Sequence, residues 1–269
     1  MSPDISVVIP TFRRPALLAE AIDSVLAQKG VTSEILVIDD CPLGSAKEAV
    51  APYLDRGVTY RRSPAHSGGR PAQVRNLGWR EARAEIIHFL DDDDLAPEGF
   101  YADALAVFAR KRDIGVVFGK IEPFGSADIS AERDYFDRAH RRAGRCGRLG
   151  PKLGFGAAMF FLDSLLVCSA AMIRKRCVVE IGGFCTDMAL AEDVDLYARA
   201  IRKFGAVHLD RTSLHYRYGP SLSNRANIKP LLEESYRAIQ TRCRRENGAV
   251  DFYAMKILAK ILGRFDERN

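Results

Sequence analysis

The 269-residue sequence contains no apolar run of the roughly 18 to 20 residues needed to cross a membrane. The nearest candidate, residues 155–168, is too short and includes Asp163. The N-terminus has neither the basic nor the apolar segment of an export signal. These absences predict a soluble protein that works in the cytoplasm.

Cysteine motifs and phosphate-binding loops are missing as well. The six cysteines are scattered, with no CxxC pair and no tight Cys/His cluster. This excludes the usual structural zinc sites and predicts reduced, partly buried thiols. No GxxxxGK[ST] motif occurs, so a Mg²⁺-dependent nucleotidyltransferase, one alternative function for this chain, lacks its best-known sequence support.

The composition that remains is typical of a folded protein. Hydrophobic residues make up 47% of the chain and charged residues 28%, which excludes disorder as the main state. The formal net charge of +5 is concentrated, because residues 132–152 contain seven lysines and arginines against three acids. This segment predicts contact with an anionic acceptor, although a solvated loop would have the same composition.

Hydrophobic patterning predicts an α/β fold. Residues 5–9 and 34–38 are short apolar strand patterns that flank helical spacing over 16–28, so the chain opens with a βαβ unit and a parallel sheet. Further strands are predicted at 58–61, 86–90, 115–120 and 170–174, and helices at 45–54, 75–84, 101–110, 194–204 and from 229 onward. Residues 126–151 are irregular and basic, which predicts a long functional loop or a partly helical lid.

Four consecutive acids, Asp91 to Asp94, follow the strand at 86–90, as Asp39 and Asp40 follow the strand at 34–38. The carboxyl ends of strands form the ligand-binding edge of open α/β sheets. Like charges about 4 Å apart repel by about 4 kcal/mol at an effective dielectric of about 20, so the cluster needs compensation. Mg²⁺ or Mn²⁺, which prefer oxygen ligands, would supply it. The alternative is that these acids cap the next helix.

Five segments of the sequence resemble the family 2 glycosyltransferases and occur in that family's order. They are VVIPTFRRPALLAEAIDSVLAQ, EILVIDD, VRNLGWREARAEIIHFLDDDD, IGGFCTDMALAEDVDLYARAIRKFG and YRYGPSLS. The resemblance implies the GT-A fold, a Rossmann-like and mostly parallel sheet flanked by helices. It also implies a metal-dependent enzyme that transfers a sugar from a nucleotide-sugar donor, UDP by family habit, to a hydroxyl with inversion at the anomeric carbon.

The resemblance further implies a donor-binding set in the turns after the first two strands and in the helix before the acidic cluster. Its members are Pro10, Thr11, Phe12, Arg13, Asp39, Asp40, Arg75 and Asn76. A carboxylate can accept from the imide N–H of uracil, and an arginine can pair with phosphate. The residues alone leave alternatives open, because Asp-Asp-Cys-Pro also makes a good turn and a helical arginine can be solvated.

The family's Asp-x-Asp metal motif corresponds to Asp91 and Asp93. The spacing to Pro97 is one residue shorter than usual, so Asp92 is a further candidate for donor or metal contact. His215 is an additional candidate metal ligand. The alternative is that it is a structural histidine within a strand. With Arg217 and residues 221–223, His215 falls where related enzymes carry a loop that closes over the diphosphate.

Glu192 and Asp193 match the position of the family's catalytic base. Direct displacement needs one carboxylate within roughly 2.6 to 3.2 Å of the attacking hydroxyl, to take its proton. The resemblance assigns this role to Asp193 and assigns orientation of the acceptor or base to Glu192. The alternative is that both acids, with Asp195, only charge a helix N-terminus.

The sequence predicts a transferase domain over residues 1–228, with a nucleotide-sugar-binding half (1–95) and an acceptor-binding half (96–228). A helical extension follows at 229–269. There Lys256, Lys260 and Arg264 recur beside apolar residues, and such a cationic amphipathic helix either docks on an anionic membrane or packs on the domain.

The expected partners are a nucleotide-sugar donor and a glycan or glycolipid acceptor of cell-surface polysaccharide or lipopolysaccharide synthesis. Peripheral contact with the inner face of the membrane is a further expectation, and no nucleic acid is expected. A non-catalytic nucleotide-binding protein of the same fold is the second competing function, although such a protein has no obvious need for both Asp91 to Asp94 and Asp193.

Overall fold

A seven-stranded sheet forms the centre of the protein. The computed structural model describes residues 2–126, 128–219 and 228–266. The strands are β1 (Ile5–Thr11), β2 (Ser33–Asp39), β3 (Val58–Arg62), β4 (Ile86–Phe89), β5 (Val116–Phe124), β6 (Ala171–Arg174) and β7 (Ala206–Arg217). Their order across the sheet is β3-β2-β1-β4-β6-β5-β7. Among these strands only β6 runs antiparallel to its neighbours, which confirms the mostly parallel α/β sheet.

Helices flank this sheet and cover its apolar strands. They are α1 (Pro15–Leu26), α2 (Lys47–Val50), α3 (Pro71–Glu81), α4 (Phe100–Arg110), α5 (Ser130–Arg148), α6 (Leu153–Phe161), α7 (Lys175–Ile181), α8 (Glu192–Phe204) and α9 (Ile228–Asp266). Residues 5 to 9 of β1 are fully buried, as expected for a strand covered on both faces. In the described ranges, no helix has the length and apolarity to cross a bilayer.

The basic segment predicted as an irregular loop is mainly a helix. α5 buries Phe136, Ala139, Ala143 and Cys146, which recur every three or four residues on one face. Its other faces carry many charged side chains, which hide this apolar period in the sequence. The loop interpretation of 126–151 was therefore wrong between residues 130 and 148, where the alternative of a partly helical segment is correct. Most of the cations of this segment lie on that helix.

β7 is the strand that the sequence pattern did not predict as a whole. Its middle is polar and partly exposed, and its pairing with β5 shifts register after Phe118 and again after Lys120. Such irregular pairing removes the simple alternation that identifies a strand. β7 matters for the site, because its last residue, Arg217, reaches the acidic cluster.

The predicted C-terminal helical extension is present as α9, which packs against α5, α6 and α8. Gly248 interrupts it with φ 79° and ψ 168°, a left-handed conformation that glycine adopts without steric cost. Before this break, Arg242 pairs with Asp195 of α8 (Nη1 to Oδ2, 2.9 Å). The extension is thus bonded to the helix that carries the candidate base. Five of the six cysteines are buried, and Cys185 is partly buried.

Candidate active site

The loops that follow β1, β2 and β4 meet at one edge of the sheet. The hydroxyl of Thr11 donates to Oδ2 of Asp92 (2.7 Å), and the backbone N–H of Asp40 donates to the carbonyl oxygen of Thr11 (2.9 Å). Parallel strands bring their carboxyl ends to the same edge. The structure therefore joins the predicted donor turns to the acidic cluster through Thr11.

Arginine side chains compensate the charge of three of the four adjacent acids. Arg14 Nη1 lies 2.6 Å from Asp93 Oδ2 and 3.3 Å from Asp92 Oδ1, and Arg75 Nη2 lies 2.6 Å from Asp91 Oδ1. The backbone N–H of Arg217 donates to Oδ1 of Asp94 (3.0 Å), and its Nε donates to the carbonyl oxygen of Asp93 (2.8 Å). The sequence argument looked to a metal ion for this compensation and missed Arg14, which directly follows the predicted donor residue Arg13.

The cluster divides into two partly exposed and two buried carboxylates. The side chains of Asp91 and Asp93 are 34% and 24% exposed, whereas Asp92 and Asp94 are buried. Burial raises the pKa of Asp92 to about 6 and that of Asp94 well above its usual range. Burial also raises the pKa of Asp93, with the charge of Asp91 adding to the effect. The accessible pair therefore has the Asp-x-Asp spacing.

This pair fits a divalent ion bound together with a donor. Mg²⁺ is typically held by one or two carboxylates, with waters and substrate phosphates completing its octahedron. Within the described residues, no group of three or more His, Cys, Asp or Glu side chains is arranged to hold a metal. Two carboxylates without a third would suit an ion that arrives with a diphosphate better than a closed structural site.

His215 lies on β7 beside Glu122 and Phe124. Its Nδ1 is 3.5 Å from Glu122 Oε2, and the Phe124 ring stands edge-on to it at 6.5 Å between centroids. His215 is two residues before Arg217, so both side chains share one face of the strand. Its role as a metal ligand stays a prediction.

The acids after β2 organise their own loops. Asp39 is fully buried and accepts from the N–H groups of Cys41 (2.9 Å) and Ala46 (2.8 Å). Asp40 accepts from the N–H and hydroxyl of Ser67, at 2.9 and 2.7 Å. The bond between Asp39 and Cys41 is that of the turn alternative, whereas the bonds of Asp40 join the end of β2 to a loop 27 residues further along the chain. Contact of either carboxylate with the nucleotide base of the donor stays a prediction. Such a contact would be made in addition to these hydrogen bonds or in exchange for them.

An aromatic pair lies beside these acids. Phe12 and His66 stack with 5.2 Å between ring centroids and 15° between planes, and Nδ1 of His66 is 3.0 Å from Oδ2 of Asp40. The guanidinium of Arg13 lies 5.1 Å from the Phe12 centroid, and Arg13 has a left-handed φ of 56°. Pro10 lies within β1 opposite Ile38. Sequence reasoning had assigned His66 no role, because no local motif marks it.

Glu192 and Asp193 open α8 directly after Ala191, whose φ is also 56°. Oδ1 of Asp193 accepts from the N–H of Val194 (2.8 Å). Burial, and then the adjacent charge of Glu192, raise the pKa of Asp193 to about 6. A carboxylate with a raised pKa is a better proton acceptor, as a general base requires. Asp195 is instead buried and paired with Arg199 and Arg242.

Arg75 connects the acidic cluster to the candidate base. Its Nη1 lies 2.7 Å from Glu192 Oε1, and its Nη2 lies 2.6 Å from Asp91 Oδ1. The guanidinium is 5.5 Å from the ring centroid of Phe184, and the residue is only 4% exposed. The sequence predicted that Arg75 reaches the donor. In the structure this cation joins two acids that are 101 positions apart in the chain, from Asp91 to Glu192.

Asn76 supports the turn that leads to α8. Its amide donates to the carbonyl oxygen of Phe184 (2.9 Å) and accepts from the N–H of Phe184 (3.0 Å) and the indole of Trp79 (2.8 Å). Gly183 has φ +75°, and a Cβ there would lie 2.6 Å from Asn76 Oδ1. Donor contact by Asn76 stays a prediction and would compete with these bonds. The predicted loop at 221–223 lies outside the described residues.

Comparison with known sequences identifies a family. The sequence profile described as glycosyl transferase family 2 matches residues 6–173. The succinoglycan biosynthesis protein ExoO of Rhizobium meliloti is 36% identical over 92 residues. That match covers 34% of this chain and 26% of the relative, so the chain spans only about a quarter of that protein.

Comparison with solved structures confirms the fold. The Staphylococcus aureus protein TarS, solved as residues 1–349 in complex with UDP-GlcNAc, superposes with a TM-score of 0.71 at 18% identity, over 98% of this chain and 72% of that one. The mannosyltransferase PcManGT of Pyrobaculum calidifontis, solved with GDP-Man and Mn²⁺, gives 0.64 at 16% identity, over 99% and 74%.

Proposed function

Because the chain belongs to glycosyl transferase family 2, we propose that it is an inverting, metal-dependent transferase that moves a sugar from a UDP-sugar to an acceptor hydroxyl. One observation carries this proposal. Arg75 holds Asp91 of the Asp-x-Asp pair and Glu192, the neighbour of Asp193, at 2.6 and 2.7 Å. Donor-side and acceptor-side acids therefore lie on either side of a single guanidinium, as a one-step displacement requires.

The donor would lie across the edge formed by the turns after β1 and β2. Phe12 offers an aromatic face to a base, and the acids beside it offer acceptors to an imide N–H. The structure of TarS with UDP-GlcNAc supports a uridine donor, and that of PcManGT with GDP-Man and Mn²⁺ supports use of a divalent ion. Asp91 and Asp93, with His215 as a third candidate, would hold Mn²⁺ or Mg²⁺, which neutralises charge on a departing diphosphate.

The protein's own groups would carry the proton transfer. Asp193, as carboxylate, accepts the proton of the acceptor hydroxyl while that oxygen attacks the anomeric carbon from the face opposite the diphosphate. The bond from carbon to the diphosphate oxygen breaks as the new glycosidic bond forms. Glu192 is held in place by Arg75, and its negative charge helps to keep Asp193 basic.

The acceptor would be a glycan or glycolipid of a cell-surface polysaccharide, made at the cytoplasmic face of the membrane. The match to a succinoglycan biosynthesis protein supports this class of product. The cations of α5 suit an acceptor that carries phosphate or another anion. Burial raises the pKa of Tyr135 on α5 and that of Tyr236 on α9, and the charge of Asp193 adds to both effects. The acceptor-binding surface would thus extend over both helices.

Nucleotide binding is the first test of this proposal. Calorimetric titration with UDP, GDP and dTDP, each with Mn²⁺ and with EDTA, is expected to show binding of UDP that needs the ion, because two carboxylates alone hold a metal weakly. Asp93→Asn should abolish the dependence on the metal, and Asp187→Asn, an exposed acid in the loop before α8, should leave it unchanged. If GDP or dTDP bound in place of UDP, that nucleotide would replace UDP in the proposed donor. If no nucleotide bound, the non-catalytic alternative would replace the transferase.

A further inference from the structure

The second half of α9, residues 249–266, has two apolar faces where a helix on a protein surface normally has one. One face carries Phe252, Met255, Ala259 and Leu262, all 8% exposed or less. It packs on α6, where Phe252 meets the ring of Phe161 at 5.1 Å between centroids. The amphipathic period predicted from the sequence is therefore partly used to attach the helix to the domain.

The other face is open to solvent. Val250 is 84% exposed, Ile257 61%, Tyr253 49% and Ile261 47%. These four residues, the α9 stripe, are spaced by three, four and four positions, so they form one continuous row about 16 Å long. Single exposed apolar residues need no explanation, but a contiguous row of them marks an interaction surface.

Apart from Asp251, the charged residues within the span of the α9 stripe are all cations. Residues 252–265 include Lys256, Lys260 and Arg264 and no acid, and all three cations are exposed. The acid that precedes this span, Asp251, is paired with Arg202 of α8. A second copy of this chain would bring like charges together along the row, which opposes self-association. The partner of this surface must be both apolar and negatively charged.

We propose that the α9 stripe docks the protein on a lipid surface that contains anionic headgroups. Apolar side chains enter the boundary between headgroups and acyl chains, and flanking lysines and arginines remain at the headgroups. This inference deepens the proposed function, because docking would place the enzyme beside a glycolipid acceptor. In that respect the inference rests on the proposed function. Docking itself requires no donor and no turnover.

The docking helix is bonded to the catalytic helix. Arg242, six residues before the break at Gly248, pairs with Asp195 (Nη1 to Oδ2, 2.9 Å), two positions after Asp193. Phe252 and Met255, just beyond the break, are buried against the domain. A surface held by the stripe would therefore have a fixed position relative to Asp193.

Vesicle co-sedimentation tests the proposal. The full chain is expected to bind vesicles of phosphatidylcholine with about one-third phosphatidylglycerol, and to bind pure phosphatidylcholine vesicles far less. Each cation near an anionic surface strengthens partition about fivefold, so Lys256→Gln with Lys260→Gln should weaken it about twenty-five-fold. Ile257→Glu with Ile261→Glu should abolish it, because two apolar contacts are lost and two like charges face the lipid.

The matched control is Val179→Glu, which places the same charge at an exposed valine on α7 (55% exposed), and it should bind like the unchanged chain. Circular dichroism and the thermal midpoint confirm that each variant is folded. Equal binding by the stripe variants, or no binding of the unchanged chain to anionic vesicles, would overturn the proposal. Light scattering that shows a dimer, which Ile257→Glu and Ile261→Glu dissociate, would also overturn it and assign the stripe to self-association. Nucleotide binding, measured separately, distinguishes failure of docking from failure of the transferase assignment.

Discussion

Asp193→Asn is expected to lower sugar transfer by between about a hundredfold and ten-thousandfold, the usual contribution of a general base. The amide keeps the shape of the side chain and the bond from the N–H of Val194, but it takes no proton. Nucleotide affinity should be unchanged, because the proposed mechanism places Asp193 on the acceptor side. The measurement is kcat/KM with a donor sugar that the unchanged enzyme uses, beside the dissociation constant for the nucleotide.

The same substitution is expected to stabilise the fold. The pKa of Asp193 is raised from 3.8 to about 6 by burial and by Glu192, so the folded state holds this proton more tightly than the unfolded chain. The stability contributed by this group is present below about pH 4 and is lost as the pH rises through about 6. Asparagine avoids that loss, so the thermal midpoint should rise by a few degrees at neutral pH, for a gain of about 1 to 3 kcal/mol.

The stabilisation should shrink as the pH falls toward 4 and disappear below about pH 3, where the carboxyl group is protonated in both states. Asp187→Asn, an exposed acid six residues earlier, should change neither transfer nor stability by a measurable amount. If Asp193→Asn kept full transfer, another group would have to be the base. If it instead lowered the thermal midpoint, the charge of Asp193 would be stabilising the fold, contrary to the effect of its burial.

Arg75→Met is expected to reduce both stability and transfer. It removes a buried cation from between Asp91 and Glu192 and leaves the more buried carboxylate, that of Glu192, without its counter-charge. Removing one member of a buried ion pair costs about 3 to 5 kcal/mol, which corresponds to a fall of roughly 10 °C in the thermal midpoint of a chain of this size. Scanning calorimetry measures this fall directly.

Two variants distinguish the loss of the bridge that Arg75 makes between Asp91 and Glu192 from the general effect of losing an arginine. Arg75→Lys keeps the charge but has no planar fork to reach both acids, so it should recover part of the stability and less of the transfer. Arg110→Met, at an exposed arginine near the end of α4, should alter stability by less than about 0.5 kcal/mol. Stability of Arg75→Met equal to that of the unchanged protein would show that the bridge does not hold the two acids in solution.

The role of Glu192 can be tested through the pH dependence of sugar transfer. A base must be ionised, so kcat/KM is expected to fall as the pH drops below about 6. Since the charge of Glu192 is one cause of the raised pKa of Asp193, Glu192→Gln should move this fall to lower pH. If kcat/KM of Glu192→Gln fell at the same pH as that of the unchanged enzyme, Glu192 would not affect the pKa of the base.

The sequence was informative where side-chain periods are regular. The near-continuous apolar runs of β1, β2 and β4 placed three turns at one edge, and that prediction is confirmed because parallel strands leave few other arrangements. α5 and β7 were harder. Charges on one face of α5 hide its apolar period, and the register shifts of β7 against β5 remove the alternation of that strand.

Contacts between distant residues were beyond reach of the sequence. Nothing local to Arg75 indicates that it meets Glu192, and nothing near Arg14 marks Asp92 and Asp93 as its partners. The family resemblance supplied residue types for the site without its internal pairing. Asn76 illustrates this limit, since the same Arg-Asn motif that suggested donor contact here supports the turn at Phe184.

Arg13 and Ala191 are the non-glycine residues with positive φ in the parts of the chain that the structure describes, and each stands directly beside a candidate functional residue, Phe12 or Glu192. A side chain in this backbone conformation costs about 1 to 2 kcal/mol relative to the right-handed region. Glycine would remove the cost, yet it would also let the peptide rotate. Arg13 and Ala191 thus restrict rotation of the backbone next to Phe12 and next to Glu192 and Asp193. Directed evolution for heat resistance that placed glycine at either position would be expected to stabilise the fold and to make the positions of these side chains less precise.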